Sequence, residues 1–148
     1  MRRLRDMPLE LELAERFRFF RLSPRERAEI ADKLRGMLSG LKEVSLAIIY
    51  GSFLKEYPFR DIDVAIYIGC ENVDQLDYKL KLDTMLSEYL RYPVDVKILN
   101  NAPPWFTRGV LEDGEVLFIS VPFLKERLYL KAIDEGEVRH WLDAEETP

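Results

Sequence analysis

Two apolar segments joined by a short loop constrain the fold of this chain more than any other feature. The first, Val44–Tyr50, ends abruptly at Gly51-Ser52, and the second, Asp61–Ile68, opens with an Asp-x-Asp sequence. The second segment alternates, with Asp61 and Asp63 on one face and aliphatic residues on the other: Ile62, Val64, Ile66 and Ile68. Both segments are predicted to be β-strands. If they are antiparallel, the end of the first lies beside the acidic start of the second.

Helix and strand periodicity continues along the rest of the chain. In chain order, the predicted elements are helices over residues 8–21 and 24–39, strands over 44–50 and 61–68, a helix over 73–91, a strand over 94–99, a short helix ending near 113, an edge strand over 115–119 and a closing helix over about 122–143. This order predicts an α/β (α+β) fold, a mixed sheet of about four strands flanked by helices. We expect a single domain over 1–148, with N-terminal helices in 1–40, a core in 41–119 and the closing helix in 120–148.

Local signals predict the helix ends and one buried helix face. Ser23 and Glu26 form a capping pair around Pro24, and Gly40 is expected to end that helix in the left-handed conformation. Asn72 is the expected N-cap of the helix over 73–91. The residues of that helix expected to point inward are Leu76, Leu80, Met85, Leu86, Tyr89 and Leu90.

Composition argues against several classes of protein. The formal net charge is −5, so the chain lacks the basic footprint of a nucleic-acid binder and better suits a small molecule or a basic protein partner. Cys70 and His140 are the only residues of their types, which argues against an internal disulfide and a zinc site. No apolar run is long enough to span a membrane and no signal-peptide core is present, so we expect a cytoplasmic protein without membrane contact.

Three aspartates on two predicted strands form a candidate metal site. Residues i and i+2 of a strand lie on one face, about 6 to 7 Å apart, so Asp61 and Asp63 can lean onto one divalent ion. Asp95 lies near the start of the next strand, on its non-core face. If a helical crossover makes the two strands parallel, Asp95 reaches the same end of the sheet. Such carboxylates suit Mg²⁺ bound together with substrate phosphates, and three of them predict a two-metal site.

The loop between the first two strands supplies the parts of a phosphate site. Gly51 allows the backbone to approach a phosphate closely, and turn N–H groups form an anion-binding concavity. Ser52 adds a hydroxyl donor, while Lys55 and Arg60 are candidate charge partners of a triphosphate. Together with the aspartates, these residues predict a site for a metal-bound nucleoside triphosphate.

The order Gly-Ser, loop, Asp-x-Asp and third carboxylate resembles that of the DNA polymerase β-type nucleotidyltransferase superfamily. The resemblance covers roughly residues 41–119. The compact chain looks most like the minimal nucleotidyltransferases of prokaryotes, which are often the antitoxin partners of HEPN-domain toxins. The implied reaction is transfer of AMP from ATP, with Mg²⁺, to a protein hydroxyl, in particular a tyrosine of a cognate HEPN toxin.

The resemblance also implies a role for each site residue. Asp61 and Asp63 would bind both metals. Asp95 would help to bind the catalytic metal and would activate the acceptor hydroxyl. Gly51 and Ser52 would hold the β- and γ-phosphates.

One departure from the superfamily pattern leaves alternatives open. Eight residues separate Ser52 from Asp61, fewer than is usual, and Leu54-Lys55-Glu56 stands where an Arg-Gly is common. The shorter loop favours a second hypothesis, a non-catalytic antitoxin that masks its partner. A third hypothesis is a small-molecule transferase of the aminoglycoside type, which usually requires an added acceptor-binding domain.

Overall fold

The computed structural model describes residues 19–55 and 58–146. These residues contain four α-helices and four β-strands. The helices are α1 (Pro24–Ser39), α2 (Gln75–Leu90), α3 (Pro104–Asp113) and α4 (Leu124–Glu146). The strands are β1 (Val44–Tyr50), β2 (Ile62–Ile68), β3 (Val94–Ile98) and β4 (Glu115–Ile119), and a 3₁₀ turn, Gly51–Leu54, follows β1. None of the helices in these ranges is long and apolar enough to cross a membrane.

The strands form one mixed sheet in the order β3-β2-β1-β4. Strand β1 is antiparallel to both β2 and β4. The end of β1 therefore lies beside the acidic start of β2. Strands β2 and β3 are parallel, and α2 is the crossover between them. The α/β fold with a four-stranded mixed sheet is therefore confirmed, and β4 is an edge strand as expected.

Both faces of the sheet are buried. On one face, α1 and α2 pack against the aliphatic residues of β2, with fully buried Leu34 and Leu86 at the centre. On the other face, α3 and α4 pack against Leu46, Ile48 and Ala65. Burying one leucine or isoleucine side chain contributes about 1.5 to 3 kcal/mol, so the two cores hold the sheet from both sides. The face that begins with the aspartates of β2 therefore lies in part beneath α3.

Two helix ends differ from the sequence predictions. Ser23 and Glu26 do form the predicted reciprocal capping box at the start of α1. At the other end, Gly40 has a φ of −79°, so that helix ends in a right-handed conformation and the left-handed cap was wrong. Helix α2 is capped by the Asp74 side chain, which accepts from the Asp77 N–H, and not by Asn72.

The buried face of α2 was predicted only in part, since Leu86 and Leu90 are buried as expected. Leu82, Leu86 and Leu90 are its buried residues, a stripe with four-residue spacing that packs against the sheet. Four residues expected to point inward are exposed: Leu76, Leu80, Met85 and Tyr89. The sheet decides which stripe of a helix is buried, and several stripes of α2 carry apolar residues.

The predicted helix over residues 8–21 lies mostly outside the described residues. Its last part, from Phe19 to Arg21, is not helical. Instead, Phe20 and Phe59 form an antiparallel bridge, in which the Phe20 N–H donates to the Phe59 carbonyl at 2.8 Å and the Phe59 N–H donates back at 3.1 Å. This segment therefore supports the loop between β1 and β2.

Candidate functional site

The turn after β1 depends on a glycine at its first position. Gly51 has a φ of +81°, a left-handed conformation that residues with a side chain adopt only at a cost. A Cβ atom added there would lie 2.6 Å from Oδ2 of Asp63. The Asp63 carboxylate therefore lies directly against the Gly51 backbone. The predicted proximity of the Gly-Ser turn and the Asp-x-Asp sequence is present in the fold.

An aromatic cluster holds the loop that joins the turn to β2. Phe59 is fully buried, and its ring meets that of Phe53 edge-on at a centroid distance of 5.1 Å. The Arg27 guanidinium lies over both rings, at 5.4 Å and 5.2 Å, and donates a hydrogen bond to the Phe53 carbonyl. Contacts of this kind contribute about 0.5 to 1.5 kcal/mol each beyond burial. The described ends of the loop are thus held together by the contact between Phe53 and Phe59.

Three residues of the site lie in one row across three strands. Tyr50 of β1 is opposite Asp63 of β2, and Asp63 is opposite Asp95 of β3 in the parallel register. Asp61 lies one residue before β2 and is exposed. Within residues 19–55 and 58–146, no three Asp, Glu, His or Cys side chains converge closely enough to hold a metal ion. The three-aspartate metal site thus stays a prediction, while the pairing of Asp63 with Asp95 is an observation.

Burial and neighbouring charge act together on Asp63. Burial raises the pKa of the Asp63 carboxyl from 3.8 to about 6, with further contributions from the carboxylates of Asp95 and Asp61. The Lys97 ammonium acts in the opposite direction. The pKa of Tyr50 is raised for the same reasons, first by burial and then by Asp63 and Asp95. Negative charge therefore accumulates at this end of the sheet, where a cation would be stabilised.

Tyr50 packs against helix α3. Its ring meets Phe106 of α3 edge-on at 5.6 Å. This contact joins α3 to the end of β1, beside Gly51. The aromatic pair therefore forms the wall of the site on the side of α3.

Two lysines outside the predicted site hold Asp95. Lys79 of α2 contacts Oδ1 of Asp95 at 3.0 Å, and Lys97 of β3 contacts Oδ2 at 3.3 Å. The position of Lys97 two residues after Asp95, on the same face of a strand, was a signal available in the sequence. Lys79 gave no such signal, because its contact depends on how α2 packs beside β3.

The remaining predicted site residues surround the turn. Ser52 is partly exposed within the 3₁₀ turn, and Lys55 and Arg60 are exposed at either end of the loop. A cleft of about 320 Å³ lies beside the turn and is lined by residues that include Tyr50, Gly51, Lys55, Trp105 and Phe106. A second cleft, of about 570 Å³, lies across the sheet near α1 and also includes Lys55. Of these two clefts, the first is the one that adjoins both Gly51 and Tyr50.

The pKa of Asp63 predicts how stability depends on pH. Because the carboxyl is more basic in the folded protein, the folded state binds a proton between about pH 4 and pH 6 that the unfolded chain does not bind. This contribution to stability is lost as the pH rises through about 6. After allowance for solvent screening, we expect the free energy of unfolding to rise by about 1 kcal/mol from pH 7 to pH 5.

Urea denaturation of the wild type and of Asp63→Asn at both pH values measures this contribution. The variant cannot titrate at this position, so the difference between the two proteins should grow from pH 5 to pH 7. An identical pH dependence in the two proteins would show that Asp63 titrates as an ordinary exposed carboxyl.

The fold and the site together define a class of protein. A mixed sheet presents a glycine turn against one aspartate, with a second aspartate opposite it on a parallel strand. The model of the family described as "Polymerase beta, Nucleotidyltransferase" matches residues 32–121 of the chain. The chain belongs to this polymerase β nucleotidyltransferase family. No curated protein sequence gives a significant match.

Several solved structures share the fold. A chain in the structure of a tri-AMPylated Shewanella oneidensis HEPN toxin with its MNT antitoxin is 22% identical, with a TM-score of 0.61 over 80% of this chain and 91% of that one. A chain of the toxin–antitoxin complex MntA–HepT is 21% identical, with a TM-score of 0.56 over 83% and 92%. A toxin–antitoxin structure with AMP-PNP gives 22% identity and a TM-score of 0.58 over 84% and 92%. At these identities, the similarity establishes the fold.

Proposed function

We propose that this protein transfers AMP from ATP to a hydroxyl group of a partner protein, in particular a tyrosine of a HEPN-type toxin, and so acts as its antitoxin. The observation that carries the proposal is the packing of Gly51 against Asp63, with Asp95 opposite on the parallel strand. The solved structures of similar fold add support, because one holds a tri-AMPylated HEPN toxin with an MNT antitoxin and another holds AMP-PNP.

The triphosphate is assigned to the turn and its flanking cations. Gly51 and Ser52 would hold the β- and γ-phosphates through backbone N–H groups and the serine hydroxyl. Lys55 and Arg60, both exposed, would add positive charge from the ends of the loop. The cleft of about 320 Å³ beside Gly51 would hold the nucleoside, since it adjoins the turn and has an aromatic wall.

The carboxylates fit a divalent metal in their chemistry. Asp61, Asp63 and Asp95 offer the oxygen ligands that Mg²⁺ prefers. The pKa of Asp63 is raised first by burial and then by the carboxylates of Asp95 and Asp61, and a bound cation would offset both effects. When bound, Mg²⁺ would neutralise phosphate charge and stabilise the attacking and leaving oxygens.

Each part of the site is assigned one role in the transfer of AMP. The acceptor oxygen attacks the α-phosphorus and forms a new P–O bond, while the bond to the β-phosphate breaks and pyrophosphate leaves with its electron pair. The hydroxyl proton passes to a carboxylate, a role assigned to Asp95 because it lies beside Asp63 in the row. The turn holds the departing phosphates in place, so the protein contributes mainly positioning and electrostatics.

One observation favours the alternative of a non-catalytic antitoxin that masks its partner. Both oxygens of Asp95 are paired with lysines, at 3.0 Å and 3.3 Å. Lysine pairs can replace a metal as the counter-charge of a carboxylate whose catalytic use has been lost. Such a protein would bind its partner tightly without Mg²⁺ and would form no nucleotide-dependent product.

A labelling experiment distinguishes the two functions. The protein is incubated with Mg²⁺ and α-labelled ATP, with and without a candidate HEPN partner. We expect label on the partner, dependent on Mg²⁺ and released by a phosphodiesterase. An unlabelled partner in a stable complex that forms without Mg²⁺ would contradict the transferase and support the masking antitoxin.

A further inference from the structure

A stripe of polar residues on α2 covers the outer edge of β3. Lys79, Asp83 and Ser87 follow each other at four-residue spacing and so lie on one face of the helix. The Ser87 hydroxyl accepts from the Val94 N–H at 2.9 Å, and Asp83 Oδ1 accepts from the Val96 N–H at 2.7 Å. These bonds satisfy N–H groups that the edge of a parallel sheet would otherwise leave unpaired.

The same stripe ends on the third carboxylate of the site. The second oxygen of Asp83 contacts the Lys79 ammonium at 2.6 Å, and Lys79 contacts Oδ1 of Asp95 at 3.0 Å. Asp95 is the residue before Val96. A continuous network of hydrogen bonds and ion pairs therefore links the backbone of β3 to Asp83, Lys79 and the side chain of Asp95.

The two lysines that hold Asp95 are not equivalent. The side chains of Lys79 and Asp83 are each only 24% exposed, and Lys79 is held by two carboxylates at once. The side chain of Lys97 is 47% exposed and has the longer contact, 3.3 Å. A charge network anchored to the backbone is worth more than an isolated exposed ion pair. A second cation that binds Asp95 should therefore displace Lys97 more easily than Lys79.

We propose that Lys79 is a positioning residue that orients Asp95 through Oδ1, and that Lys97 is a placeholder cation at Oδ2 that a bound divalent metal displaces. This inference rests on the proposed function, since it assigns Asp95 to metal binding in nucleotide transfer. It also explains the lysine pairs without loss of catalysis. Partners that orient a ligating carboxylate commonly change metal affinity or activity by about 10- to 100-fold when they are removed.

The two lysines are therefore expected to have opposite effects on metal binding. In Lys79→Met, Asp95 loses its orientation, and the Mn²⁺ concentration for half-saturation should rise about tenfold. Lys79→Arg keeps the charge and should restore most of the affinity. In Lys97→Met, the competing cation is removed, so the half-saturating concentration should fall severalfold.

The readout is Mn²⁺ binding, followed by electron paramagnetic resonance in the presence of α,β-methylene ATP, an analogue that cannot donate AMP. Lys81→Met is the matched control, because Lys81 pairs with Asp77 at 2.9 Å on the same helix but away from the site. Asp83→Asn is a second variant, which keeps an acceptor for the Val96 N–H but weakens the hold on Lys79. It should shift binding in the same direction as Lys79→Met, but less.

The outcomes separate this inference from the proposed function. Equal Mn²⁺ binding by Lys79→Met and Lys81→Met, or shifts of the same sign for Lys79→Met and Lys97→Met, would overturn the positioning role. Opposite shifts with no label on any protein acceptor would support the positioning role and overturn only the proposed acceptor. A wild-type protein that binds no Mn²⁺ with the analogue would overturn both.

Discussion

Replacement of Asp63 by asparagine is expected to lower the rate of nucleotide transfer by more than about a hundredfold and to raise the stability of the protein. Removal of a group that orients a metal ligand lowers metal affinity or activity about 10- to 100-fold. Removal of a direct ligand should therefore lower the transfer rate by more. Stability should rise because the carboxyl pKa of about 6 shows that the charged form is disfavoured in the folded state. At pH 7, a gain of about 1 kcal/mol corresponds to a melting temperature roughly 2 to 4 °C higher.

Transfer of α-labelled AMP and thermal melting measure the two effects on the same sample. Asp77→Asn is the matched control, because Asp77 is an exposed aspartate on α2 that forms an ion pair with the exposed Lys81. It should leave both quantities unchanged. Normal transfer by Asp63→Asn would remove Asp63 from the catalytic assignment. A lower melting temperature would show that its charge is stabilised in the fold.

The sequence predicted the part of the site that depends on neighbouring strands. Alternation in residues 61–68 identified the face that carries Asp63, and the short loop made β1 and β2 antiparallel. The helical crossover then made β2 and β3 parallel, which places Asp95 opposite Asp63. These steps succeed because strand periodicity and connection length are local properties of the chain.

The contacts that depend on helix packing could not be predicted in this way. Helix α2 carries apolar residues on several stripes, and only the sheet selects the one that contains Leu82, Leu86 and Leu90. That choice also turns Lys79 and Asp83 toward β3. Phe59 was missed for a related reason, because a buried residue in a loop follows no period. The support of the site therefore comes mainly from tertiary packing.

Replacement of Gly51 by alanine is expected to lower both transfer activity and stability, because two separate costs meet at this position. A φ of +81° costs about 1 to 2 kcal/mol for a residue with a Cβ atom. The added Cβ would also lie 2.6 Å from Oδ2 of Asp63, so the carboxylate has to move. A displacement of about 1 Å in a catalytic group can lower the rate about a hundredfold. Gly36→Ala is the control, because a Cβ there meets nothing within 4 Å and the residue lies within α1.

A double-mutant cycle separates the two costs. In an Asp63→Ala background the carboxylate is absent, so Gly51→Ala should there cost only the backbone term of about 1 to 2 kcal/mol in urea denaturation. In the wild-type background the cost should be larger, and the difference measures the contact between the turn and the carboxylate. Gly36→Ala should be neutral or slightly stabilising in both backgrounds. Equal costs of Gly51→Ala in the two backgrounds would mean that the turn and Asp63 are not coupled. The turn at Gly51 and the Asp63 carboxylate would then be independent of each other, and the proposed site would lose the contact on which it rests.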